Sequence, residues 1–137
     1  MPLKSGDVVA VYPYLWNRQH LAGETEGRKP RPVCVVLAIQ DKAGNTHLAL
    51  LPMSSQKPDP GQTAIKLPTS ERTKLGFDSA KEVWIYVSEY NYDIEQQSYY
   101  LARSRTPIRT LSSSFLKKVA MSFGEKLRAG AARVPRR

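Results

Sequence analysis

The apolar positions of this chain fall in short runs, and most of the runs carry the two-residue period of a strand. The densest is residues 31–39, RPVCVVLAI, where no polar side chain follows Arg31. A continuous run this short and rich in β-branched residues predicts a strand buried on both faces. Pro32 suits the first position of a strand better than the interior of a helix. Residues 6–12, GDVVAVY, predict a strand before it. DKAGN at 41–45 predicts a hairpin turn, with Gly44 free to take positive φ, leading into a third strand over 47–53. Residues 63–67 suit a short strand. Residues 81–93 give the longest strand signal, Val83, Ile85 and Val87 alternating with Trp84, Tyr86 and Ser88, and residues 99–102 a last short one.

Helical spacing appears twice. In PTSERTKLG, residues 68–76, Thr69 or Ser70 can cap, Glu71 sits in the first turn and Gly76 can stop the helix. Over 112–129, Phe115, Leu116, Val119, Ala120, Phe123 and Leu127 recur on one face, with lysines opposite and serines at 112–114 to cap. Strands do not alternate with helices, so a doubly wound parallel sheet is excluded. The pattern predicts a mainly β fold with a C-terminal α-helix, bent into a small barrel, as one domain over 1–137. Residues 128–137 read as a basic, flexible tail with nothing to bury.

Two stretches break the pattern. Residues 13–30 form a polar segment longer than the ~12–15 residues usual for a loop in a compact domain. It carries Tyr14, Trp16, Arg18, His20, Glu24, Glu26, Arg28 and Lys29, a mixture that suits a lid or binding loop. Residues 54–61, SSQKPDPG, form a second loop.

Composition narrows the possibilities. Hydrophobic content of 41% and charged content of 24% are ordinary for a globular domain. The single cysteine, Cys34, makes no internal disulfide and reads as a small core residue. No apolar segment approaches the ~18 residues of a membrane span, and MPLKSGDVV lacks a signal-peptide pattern, so a cytoplasmic protein is expected. The formal charge of +9 is unevenly placed. Residues 1–102 hold eleven Lys/Arg and eleven Asp/Glu; residues 103–137 hold ten Lys/Arg and only Glu125. Such a block attracts polyanions or an acidic partner, or is simply a solvated tail.

There is no glycine-rich phosphate loop and no G-x-S-x-G elbow. His20 and His47 stand in no metal-ligand spacing with Cys34, so neither metal nor cofactor is expected. An enzyme built from this chain works with Arg, Glu, Ser and at most one His. Arg31, at the mouth of the apolar strand, is the first candidate; its alternative is a rim arginine closing the strand end.

Taken in order, GDVV, the polar loop running into RPVCVVL, then LPMSSQ, KEVWIYVSEYNYDI and the terminal helix resemble the PemK/MazF family of toxins from type II toxin–antitoxin modules. The resemblance spans about residues 6–127. It implies an SH3-like barrel, a homodimer neutralised by a cognate antitoxin, and metal-independent cleavage of single-stranded RNA. That reaction is attack of the 2′-hydroxyl on the adjacent phosphate. It needs a base, a cation for the growing phosphoryl charge and a donor for the leaving oxygen. By resemblance, Arg31 matches the catalytic arginine, Ser54 the hydroxyl after Pro-x, Glu89 the strand acid and Glu24 the loop acid. His20 is a candidate proton donor. Arg28, Lys29 and Ser55 are candidate RNA contacts, and Tyr14, Trp16 and Tyr92 candidate stacking platforms. Three departures stand out: Val87 replaces an arginine two residues before the acid, Tyr90 and Asn91 follow it, and the gap from Gly27 to Arg31 is two residues longer. They admit a non-catalytic member of the fold that binds nucleic acid or protein. A gyrase poison of the CcdB type, which shares the barrel, is a third possibility.

Overall fold

The computed structural model describes residues 2–78, 80–103 and 109–136. Along the chain run β1 (Asp7–Tyr12), α1 (Asn17–Leu21), β2 (Arg31–Gln40), β3 (Thr46–Ser54), β4 (Ala64–Lys66), α2 (Thr69–Lys74), β5 (Trp84–Tyr86) and β6 (Glu89–Ile94). A 3₁₀ turn at Glu95–Gln97 leads into α3 (Tyr99–Arg103), β7 (Arg109–Thr110), α4 (Ser113–Arg128) and β8 (Ala132–Pro135). The fold is mainly antiparallel β with short helices. One curled sheet runs β4-β5-β3-β2-β1-β7, β6 pairs with the free part of β3, and β8 lies parallel to β6. Register shifts at 9–12 in β1 and at 35–37 in β2 are the irregularities that bend the sheet.

β2 is buried on both faces over residues 33–36, as its apolar run predicts, but Leu37 and Ile39 of the same run are exposed. Val33 and Val35 join one core with Tyr12, Leu48 and Leu50. Cys34 and Val36 join the other with Leu51, Phe115 and Val119. Burial pushes the Cys34 thiol up to about 12, so it stays protonated core material. α4 closes the second core with Phe115, Val119 and Phe123, and Ser112 caps it, its hydroxyl accepting from the Phe115 N–H. The buried Glu71 carboxylate accepts from both the N–H and the hydroxyl of Ser112, tying α2 to that cap.

Four expectations need correction. The strand signal over 81–93 splits, because β3 receives it in two registers: β5 pairs with Met53 and Ser54, β6 with residues 47–50. Residues 99–102 are helical, not extended; the Ser98 hydroxyl accepts from the Leu101 N–H and starts the turn. The segment 13–30 is no open lid, since α1 forms inside it and Tyr14, Leu15 and Trp16 are buried. The tail buries what it has: β8 pairs with β6, and Val134 is fully buried. Arg136 donates to the Pro13 carbonyl (2.7 Å) and to Asn91 Oδ1 (3.2 Å), with its guanidinium 4.6 Å from the Tyr100 ring centre. Part of the basic block is therefore structural, and Arg137 lies outside the described residues. Val134→Ala should cost about 2 kcal/mol of stability, read from denaturant midpoints. A solvated tail would show no change.

Candidate functional site

Arg31 opens β2 beside Tyr12 of β1 and is half buried. Its guanidinium stands 5.3 Å from the Trp16 ring centre, and Arg18 approaches the same ring at 5.5 Å. Arg31 Nε is buried with no hydrogen-bond partner, and among the described residues no carboxylate pairs with this side chain. Burial first, and the like charge of Arg18 second, lower its pKa from the ordinary arginine value. A cation held in this way at a groove wall has unmet demand for an anion, and its two-pronged donor set matches phosphate.

Ser54 ends β3 on the far wall. Its hydroxyl oxygen accepts from the Gln56 N–H at 3.1 Å, and among the described residues its own hydrogen has no acceptor. Arg31 and Ser54 line one open groove of about 470 Å³ with Lys29, Ser55 and Gln56. Four of the candidate residues, Arg31, Ser54, Lys29 and Ser55, are thus brought together at two strand ends.

Behind the groove lies a buried aromatic row. Trp16 meets Tyr14 edge-on at 5.1 Å and Tyr86 at 5.2 Å, and the Tyr86 hydroxyl donates to the Gln56 carbonyl (2.6 Å). Tyr14 and Trp16 are therefore packing residues that fix the segment, not open platforms for bases. Gly27 lets the loop lie against this row, since a Cβ there would collide with the Pro13 carbonyl.

Glu89 does not line the groove. It is buried, and its Oε2 accepts from the Tyr14 hydroxyl (3.0 Å) and the Asn17 N–H (2.8 Å). Burial raises its pKa against the opposing pull of these two bonds. Its work in the structure is to hold α1 and the aromatic row. Because the folded pKa exceeds the unfolded one, folding binds this proton more tightly, and stability falls as pH rises through the carboxylate range towards the folded value. Glu89→Gln keeps an acceptor without the charge. At pH 7 it should be at least as stable as wild type, the two converging on acidification; a deficit that widens with pH would overturn this.

The other candidates lie elsewhere. Glu24 and Arg28 are an exposed pair at 2.6 Å, which lowers the Glu24 pKa, and neither lines the groove. His20 sits part-exposed on α1, also outside the lining. Tyr92 belongs to a different, shallow groove of about 240 Å³ with Leu37, Ile39 and His47. There its hydroxyl meets His47 Nδ1 at 2.5 Å, His47 Nε2 meets Asp41 at 2.8 Å, and Arg133 covers its ring at 4.3 Å. Arg18 and Gln56 were not singled out beforehand. Arg18 is one charge in a mixed loop until α1 forms, and nothing local marks Gln56.

Among the described residues no three His, Cys, Asp or Glu side chains are grouped to hold a metal ion, and no helix is long and apolar enough to cross a membrane. What the groove can do is grip a phosphate between a guanidinium, an ammonium and hydroxyls. Neither a carboxylate nor an imidazole stands in its lining. Neither a protein-family model nor a curated protein sequence matches the chain.

Proposed function

We propose that this protein is the toxin component of a type II toxin–antitoxin pair, of the PemK/MazF kind, that cuts single-stranded RNA in the Arg31–Ser54 groove. The observation carrying this is the convergence of a carboxylate-free guanidinium and a hydroxyl with an unused hydrogen in one open groove. In this reading the curled sheet and terminal helix are the family's SH3-like barrel, and the protein is a cytoplasmic homodimer held silent by an acidic antitoxin.

The RNA phosphate sits between Arg31 and Ser54. Arg31 balances the charge that grows on the phosphoryl oxygens as the 2′-hydroxyl attacks, and the Ser54 hydroxyl donates to one of them. With no base or acid in the lining, the 2′-hydroxyl proton leaves to water, the bond from phosphorus to the 5′-oxygen breaks, the departing 5′-oxygen takes a proton from water, and alignment and charge supply the acceleration. The cleavage rate then rises with pH without a plateau set by a carboxylate; such a plateau would return Glu89 to the role of base.

One observation favours a second reading, a non-catalytic RNA-binding member of the same fold: Glu89 lies outside the groove lining, with its Oε2 held by Tyr14 and Asn17. Incubating the protein with a mixed single-stranded RNA pool in a chelating buffer separates them. Fragments ending in 2′,3′-cyclic phosphate are expected. Intact RNA that still binds through Arg31 supports the second reading, and neither binding nor cutting overturns both. Growth arrest with broken DNA and intact RNA would point to a gyrase poison.

A further inference from the structure

Ser54 lies directly opposite Trp84 in the β3–β5 pairing, so the two side chains share a face of the sheet. Beyond Ser54 the groove continues. Ser55 lines both the Arg31 groove and a second one of about 520 Å³, whose other walls include Lys57, Lys81 and Trp84. Tyr14, Trp16 and Tyr86 are buried, whereas Trp84 is only partly covered and is the one aromatic side chain lining either groove. Among the described residues neither Lys57 nor Lys81 pairs with a carboxylate. The one acid in the second groove, Glu82, is engaged chiefly by Lys66, with a weaker pull from Lys57.

The geometry points to a second nucleotide seat beside the Arg31–Ser54 phosphate site, in which Trp84 stacks an unpaired base and Lys57 and Lys81 hold the next phosphate. This rests on the RNA reading above and adds a direction to it: the strand runs from Lys29 across Ser54 and Ser55 towards Lys81. A ring face accepts every base, so this seat selects by stacking strength, larger bases over smaller, and not by base-edge hydrogen bonds.

Fluorescence anisotropy with 2′-O-methyl oligonucleotides, which cannot be cut by 2′-hydroxyl attack, tests the seat. An abasic site is walked along the strand against wild type and Trp84→Leu. In wild type one abasic position should weaken binding about tenfold. Trp84→Leu should cost a similar factor, and the two losses combined should be no greater than either alone. Losses that multiply, or no sensitive position, overturn the seat. Because Trp84 lies in β5, the exposed pair Lys57→Ala/Lys81→Ala gives a second arm independent of the ring. It should flatten the salt dependence of log Kd by roughly one to two, and an unchanged slope overturns the phosphate half. Arg31→Ala is run alongside: binding that needs Arg31 but not Trp84 or the lysines leaves the RNA reading standing without the seat. An oligonucleotide that wild type does not bind removes both.

Discussion

Arg31→Ala is expected to slow RNA cleavage by about 10²–10³-fold, the usual cost of removing one preorganised donor from a developing oxyanion. The fold should survive. Among the described residues Arg31 makes no ion pair, and its buried Nε is unsatisfied. The loss is its contact with the Trp16 ring, worth about 0.5–2 kcal/mol for a half-buried cation. The gain is relief from burial and from Arg18, the two influences that lower its pKa. Stability within about 1 kcal/mol of wild type follows, so a loss of activity is read as chemistry and not unfolding. Arg31→Lys keeps the charge but not the fork, and should recover only part of the rate. Initial rates beside thermal melts decide it, and cleavage by the alanine variant at the wild-type rate would end the proposal.

Asn91→Ala should be the most destabilising single change discussed here, at about 3–5 kcal/mol. Asn91 is fully buried in β6. Its amide takes both backbone groups of Leu15, accepting from the N–H at 2.9 Å and donating to the carbonyl at 2.7 Å. Alanine would leave both unpaired away from water, remove an acceptor of Arg136, and open a small void. For a domain of this size the melting temperature should fall by about 10 °C or more. Asn91→Asp restores only the acceptor, so it should recover part of the loss and leave the Leu15 carbonyl unmet. A change of a degree or two would show that water serves the Leu15 backbone instead.

Asn91 also illustrates where sequence reading stops. A polar residue in an alternating strand looks like a solvent-facing position. Only when the chain returns from residue 15 does it become a buried clamp. Glu89 misled for the same reason. Its partners, Tyr14 and Asn17, lie more than seventy positions away, so spacing along β6 could not reveal that the carboxylate is spoken for. Local signals served well. The β2 run predicted burial on two faces, which holds for residues 33–36 and not for Leu37 and Ile39, and the Ser112 cap with Phe115, Val119 and Phe123 predicted α4 within a residue at each end. That Arg31 and Ser54 line one groove was an expectation carried by the resemblance; by local pattern alone Ser54 reads as an ordinary turn residue. In β8 a single valine among basic residues carries no period, so nothing marked it for the core.

The clasp of Arg136 on Pro13 spans 123 positions. Synthesis runs from the N-terminus, so Arg18 and Arg31 emerge long before the residues that will pin the segment carrying Trp16. During that interval the segment is tied by Glu89 and Asn91 of β6 but lacks the clasp from the C-terminal strand. The N-terminal segment therefore gains its last tie only when residues 132–136 are available to fold against it.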